Sequence, residues 1–169
     1  MAPDITAFFY YQPMRQFGVR ELARLAKKDT KTVMKYLKIL TREGLVLRAK
    51  EPGRYVRYEA NRLSRTYKLA KGAALLEKIG KSGLIDRLEN EIKPKAIVLF
   101  GSAQKGTYLK DSDIDLFIQA REKPIRLTTY ERAIGHELQL FFEEDLTKLT
   151  EGLRNNIING STLTGALQP

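Results

Sequence analysis

Ala96-Ile97-Val98-Leu99-Phe100-Gly101-Ser102, followed after ten residues by Asp113-Ile114-Asp115-Leu116-Phe117-Ile118, is the stretch on which the reading of this chain turns. The unbroken apolar run over 96–100 predicts a buried strand, and it stops at Gly-Ser. Gly101 has no Cβ, so the backbone there can approach a phosphate closely. Ser102 adds a hydroxyl and opens a short helix whose N-terminal amides attract anions. Side chains alternate along the second strand, over 114–119. Asp113 and Asp115 therefore share one face about 6.6 Å apart, with Ile114 and Leu116 buried behind. Two carboxylates that close repel by about 3 kcal/mol at an effective dielectric of about 20. A divalent cation turns that repulsion into binding, and oxygen-only ligands beside phosphates favour Mg2+. Asp113 and Asp115 are thus read as metal ligands and catalytic residues. Gly101, Ser102, Lys105 and Ser112 are read as nucleotide-binding residues.

On either side of this pair the chain alternates helices and strands. Residues 65–92 read as a helical connector, with Leu69, Ala73, Leu76 and Ile79 on one face and interruptions at Gly80 and Gly83. A second amphipathic piece over 84–92 stops before Pro94. Beyond the aspartates come a helix around 128–134, a strand over 137–142 and a last helix from about 144 to 159. Glu143-Glu144-Asp145 falls where that last helix should begin, so these acids read as capping its dipole. Asn159-Gly160-Ser161 reads as a helix-ending turn rather than a glycosylation site. His136 is assigned a structural or surface role.

Gly-Ser, ten residues and Asp-x-Asp, with strands on both sides, resembles the signature of minimal nucleotidyltransferases of the polymerase-β-like superfamily, over about residues 82–169. The resemblance implies transfer of a nucleoside monophosphate, AMP from ATP or another NTP, to a hydroxyl, with Mg2+ as cofactor. The smallest members act as antitoxins that AMPylate a HEPN-type toxin protein, which implies such a partner here. Two departures stand out. Ala103-Gln104-Lys105 follows Gly-Ser where members often carry an arginine, and Lys105 offers a flexible point charge in its place. Members also add a third carboxylate from a neighbouring strand. Glu137 as general base and Gln139 as the occupant of that place are both open, and the second implies that nucleotide binds while transfer is slow.

The front of the chain carries the charge. Residues 1–64 hold 14 Lys+Arg against 6 Asp+Glu, a balance of +8, whereas residues 65–169 hold 16 against 14, a balance of +2. Such asymmetry points to a polyanion partner for the first third. A short helix over 19–26 precedes a second over 30–43, capped by Asp29 or Thr30, buried through Val33, Leu37 and Leu40, and ended at Gly44. Its other face carries Lys31, Lys35, Lys38 and Arg42. Strands over 45–47 and 55–58 around Pro52-Gly53 read as a hairpin with Arg48, Lys50, Arg54 and Arg57. This order resembles a winged helix-turn-helix of the small prokaryotic transcriptional regulators, over about residues 10–62. The resemblance implies DNA binding through Lys31, Thr32, Lys35, Lys38, Arg42, Arg54 and Arg57, and a homodimer. Phe8-Phe9-Tyr10-Tyr11 is expected in core or dimer packing.

Composition is that of a globular protein, with 43% hydrophobic and 30% charged residues and no cysteine, which excludes disulfides and thiolate metal sites. With no long apolar run and no leader-like start, the chain is expected to be soluble and cytoplasmic, without a membrane partner. The predicted fold class is α+β: a winged helix-turn-helix over 1–64, a helical connector over 65–92 and a small mixed-sheet nucleotidyltransferase fold over 93–169, its first helix starting as early as 82. Two functions are carried forward, a Mg2+-dependent nucleotidyltransferase attached to a DNA-binding domain, and a regulator or antitoxin whose second domain binds nucleotide or toxin without fast chemistry. Modification of a small hydroxylated molecule such as an aminoglycoside is disfavoured, since no additional substrate-holding domain is visible.

Overall fold

The computed structural model describes residues 5–49 and 55–169. The chain divides into two compact units, Met1–Lys71 and Gly72–Pro169. No helix among the described residues is long and apolar enough to cross a membrane.

In the first unit, α1 (Thr6–Tyr11), α2 (Val19–Ala26) and α3 (Thr30–Arg42) lead into a two-stranded antiparallel sheet of β1 (Val46–Ala49) and β2 (Arg57–Ala60). Asp29 starts α3 by accepting the Thr32 backbone N–H at 2.8 Å, which satisfies an amide that has no partner within the helix. Val33, Leu37 and Leu40 point into the core, and Gly44 turns the chain out of the helix at φ +72°. Both strands begin later than the sequence suggests. The Leu45 N–H is still bonded to the Leu40 carbonyl, and β2 is anchored by a bridge between Phe17 and Tyr58, which leaves Tyr55 exposed. The expected turn at Pro52-Gly53 lies outside the described residues, as do Lys50 and Arg54. Of the aromatic run, Phe8, Phe9 and Tyr10 join the core, while Tyr11 is exposed. Phe9 meets Phe17 edge to face at 5.3 Å, Tyr10 meets Tyr67 at 5.6 Å, and the Tyr67 hydroxyl donates to the Phe9 carbonyl at 2.8 Å.

α4 (Arg65–Ser82) carries the chain from the first unit into the second; Tyr67 belongs to the core of the first, and Leu75 and Ile79 to the core of the second. It passes through Gly80 without a break and ends only where Gly83 adopts φ +77°. Its buried stripe is Tyr67, Lys71, Leu75 and Ile79, whereas Leu69, expected inside, is 63% exposed. The stripe escapes a hydrophobicity reading because a tyrosine and a lysine occupy two of its four positions. Burial, reinforced by Arg62, pushes the Lys71 ammonium down to about 8.

The second unit continues with α5 (Leu84–Ile92), β3 (Ala96–Leu99), α6 (Gly101–Gln104), β4 (Ile114–Ile118), α7 (Thr128–Ile134), β5 (Leu138–Phe142), a 3-10 turn (Leu146–Lys148), α8 (Glu151–Ile158) and β6 (Ser161–Gly165). The strands form one mixed sheet in the order β5-β4-β3-β6, with β4 and β5 parallel and the other pairs antiparallel. One face, with Ile97, Leu99, Ile114, Leu116 and Ile118, packs with Leu75, Ile79, Leu84 and Leu88 of α4 and α5. The other, with Ala96, Val98 and Phe117, packs with Leu153 and Ile157 of α8.

Two expectations about the end of the chain are corrected. The last helix does not begin near 144, because the Glu143 carboxylate accepts the N–H groups of Glu144 and Asp145, and Asp145 in turn accepts the Thr147 N–H at 2.9 Å. These local bonds hold a turn in place of a helix start, so the acids cap that turn and α8 begins only at Glu151. The segment after α8 is a strand, β6, and it completes the sheet against β3.

Candidate functional site

At the end of β3 the Phe100 N–H donates to the Asp115 carbonyl at 3.2 Å, holding the two strand ends together. Gly101 then turns at φ +73° into α6, and a Cβ built on it would sit 2.6 Å from Asp115 Oδ2. Glycine is favoured there, because this backbone conformation is strained for an L side chain and a Cβ would push the Asp115 carboxylate aside. The glycine and the aspartate, fourteen residues apart in sequence, are therefore parts of one surface.

Asp113 and Asp115 precede and occupy β4 on the face opposite the buried Ile114, Leu116 and Ile118. Asp113 is exposed and Asp115 half-buried. Burial first, and the neighbouring Asp113 charge second, hold the Asp115 carboxyl above the usual aspartate range. Neither carboxylate has a hydrogen bond or ion pair with another described side chain. Three other acids are committed to structure. Asp29 and Asp145 cap turns and helices, and Glu131 accepts the Leu138 N–H at 3.1 Å. Two carboxylates on one face without a described side-chain partner are oxygen ligands of the type a hard divalent cation could use. Among the described residues no group of three or more His, Asp or Glu side chains has metal-holding geometry.

The neighbouring strand supplies the rest. β5 runs parallel to β4 with Asp115 paired to Gln139, and the Ile114 N–H bonds the Glu137 carbonyl at 2.9 Å. Glu137 and Gln139 therefore lie on the aspartate face, Gln139 in register with Asp115 and Glu137 one step outward beside Asp113; both are exposed.

The other sequence-derived candidates fall as follows. Ser102 stands in the first turn of α6 with its carbonyl bonded to the Thr107 N–H at 3.0 Å. Lys105 is exposed just past that helix. The Ser112 hydroxyl accepts the Leu109 N–H at 2.9 Å and so stiffens the loop entering β4. His136 joins that loop, with Nδ1 3.0 Å from the Ser112 carbonyl oxygen and its ring edge-on to Tyr108 at 5.2 Å. The sequence reading missed one neighbour of the site. Ser161 pairs with Leu99, which brings the Asn159-Gly160-Ser161 turn to the sheet end where Gly101 and the aspartates lie. A Cβ on Gly160 would sit 2.5 Å from Val98 Cγ1, and the requirement for glycine there was the available signal. Phe100 and Phe141, edge to face at 5.4 Å, lie among the apolar side chains of the same sheet side.

In the first unit Lys31, Lys35, Lys38 and Arg42 are all exposed on α3, opposite Val33, Leu37 and Leu40. Thr32 is engaged in the cap, its hydroxyl donating to Asp29 at 2.6 Å. Arg57 lies 3.5 Å from Glu21 and is half-exposed.

Comparison with curated proteins and with solved structures gave no match. The family model described as the nucleotidyltransferase domain matches residues 81–165, just over half of the chain, and its span runs from the end of α4 through β6 and encloses the glycine turn, the aspartate pair and the Gln139 strand. That region is the mixed sheet with its helices, and the chain belongs to the nucleotidyltransferase domain family.

Proposed function

We propose that the second unit binds a nucleoside triphosphate, with ATP as donor, as its Mg2+ complex, and transfers the nucleoside monophosphate to a hydroxyl. The observation that carries this is the closeness of Gly101 to the Asp115 carboxylate, beside a second aspartate that has no partner among the described side chains. Asp113 and Asp115 would hold the cation, and Gly101, Ser102 and Lys105 would receive the phosphates. The cation, when bound, neutralises charge on the phosphates and on the departing pyrophosphate. The acceptor oxygen forms a bond to the α-phosphorus while the bond from that phosphorus to the bridging oxygen breaks. The electron pair leaves with pyrophosphate, and the hydroxyl proton must pass to a base. As acceptor we propose a hydroxyl on a partner protein, which follows from the resemblance to antitoxins acting on HEPN-type toxins.

For the first unit we propose DNA binding in the manner of a winged helix-turn-helix, with Lys31, Lys35, Lys38 and Arg42 facing phosphates along a groove. Its support is the segregation of four exposed cations from the buried face of α3. Both units would then serve one regulator that acts on DNA and on nucleotide.

A titration with ATP and Mg2+ tests the nucleotide reading. The expected result is Mg2+-dependent ATP binding that weakens at least about tenfold in Asp113→Asn, a loss of about 1.4 kcal/mol. Equal ATP affinity in the variant, or ATP binding indifferent to Mg2+, would refute it.

A further inference from the structure

Strand register decides what stands beside the aspartates. We propose that Gln139 makes this a site for one divalent cation per nucleotide, which holds a metal–triphosphate complex and is slow to pass its nucleoside monophosphate on. The inference rests on the nucleotide-binding reading above and adds to it the stoichiometry of the metal and the step that limits transfer.

Gln139 is paired with Asp115 across parallel strands, and partnered residues in such strands lie about 4.8 Å apart. Leu138, its neighbour, is buried among the side chains packed on the opposite face, which fixes the amide on the aspartate side. It is therefore within reach of whatever Asp115 coordinates. An amide oxygen can ligate a cation but brings no charge, and it cannot take up a proton at neutral pH. The triphosphate would share in ligating one ion with Asp113 and Asp115. A second ion about 3.5–4 Å from the first, on the side of the acceptor oxygen as in two-metal phosphoryl transfer, would have few phosphate oxygens to share and would draw on a further protein ligand. Among the described residues no three acidic or histidine side chains form such a set, and Glu137 stands one register step outward, beside Asp113. His136, with Nδ1 held at the Ser112 carbonyl and its ring against Tyr108, is tied to the loop. The proton released when an acceptor oxygen bonds to the α-phosphorus thus meets an amide where a carboxylate would accept it.

Two measurements on the intact chain, and on Gln139→Asp and Gln139→Glu, test this. Bound Mn2+ is counted by electron paramagnetic resonance with α,β-methylene ATP present, and pyrophosphate release is followed with ATP and Mg2+, water serving as acceptor so that the products are AMP and pyrophosphate. The expected result is one Mn2+ per chain in the natural sequence. At least one carboxylate variant is expected to hold two and to release pyrophosphate at least about tenfold faster, at the low end of what a positioned base contributes. Two Mn2+ ions on the natural sequence, or release unchanged in both variants, would overturn the inference and leave the nucleotide-binding reading standing. Absence of nucleotide binding by the natural sequence would remove both.

Discussion

At the scale of single residues the site depends on a carboxylate kept where solvent is scarce. Asp115 is held above its ordinary range by burial and then by Asp113. An acid raised in the folded state binds more protons there than in the unfolded chain between the two values, so stability falls as pH rises through that window. The cost is absent below about pH 4 and grows as pH rises above the ordinary aspartate range. Asp115→Asn is therefore expected to melt at a higher temperature than the natural protein at pH 7, with the gain shrinking toward pH 4 and with Mg2+–ATP binding lost; thermal unfolding across pH 4–7 checks this, and a gain that does not vary with pH would speak against it. The two aspartates and the Gly-Ser turn are legible in the sequence because their types and spacing are local. Their contact is not, since nothing in the spacing says that the Gly101 Cα lies against the Asp115 carboxylate. Ser112 illustrates the same limit from the other side. Its place next to Asp113 suggests a ligand role, while the fold gives its hydroxyl a loop amide to accept.

Among elements, those with strong periodicity were read closely: α3 and α7 fall where their patterns place them, and β3 and β4 follow their apolar runs. The misses have particular causes. β6, Ser161-Thr162-Leu163-Thr164-Gly165, is an edge strand with one large apolar side chain, and its pairing with β3 shifts register between Ile97 and Val98, so no alternating pattern survives. The missed stripe of α4 runs through Lys71, and the missed break before α8 is made by side-chain bonds that composition does not reveal. The turn into β6 has little room. A Cβ at Gly160 would meet Val98 Cγ1 at 2.5 Å, the Leu99 carbonyl at 2.7 Å and the Ile157 carbonyl at 2.9 Å. Two of those atoms are backbone and cannot swing away, so Gly160→Ala is expected to cost roughly 1–3 kcal/mol. Urea unfolding followed by circular dichroism measures it, and an unchanged midpoint would show that the α8–β6 turn relaxes freely.

For the molecule as a whole, charge is the property that sequence alone displays best. The +8 balance of residues 1–64 needs no coordinates, and the structure adds that four of those cations share the exposed face of α3. If DNA neutralises them, each contributes a slope of about −0.9, so log K for binding a short duplex should fall with log salt at about −4. Lys35→Ala should bring the slope nearer zero by about one. A flat dependence from 50 to 200 mM salt would dismiss α3 as the contact. The division between the two units falls between Lys71 and Gly72, inside α4, and no run of proline, glycine or serine marks it. Anyone trimming the front half away would have to cut ahead of Leu75, because Leu75 and Ile79 fill the inside of the second unit and a shorter fragment would leave that space empty.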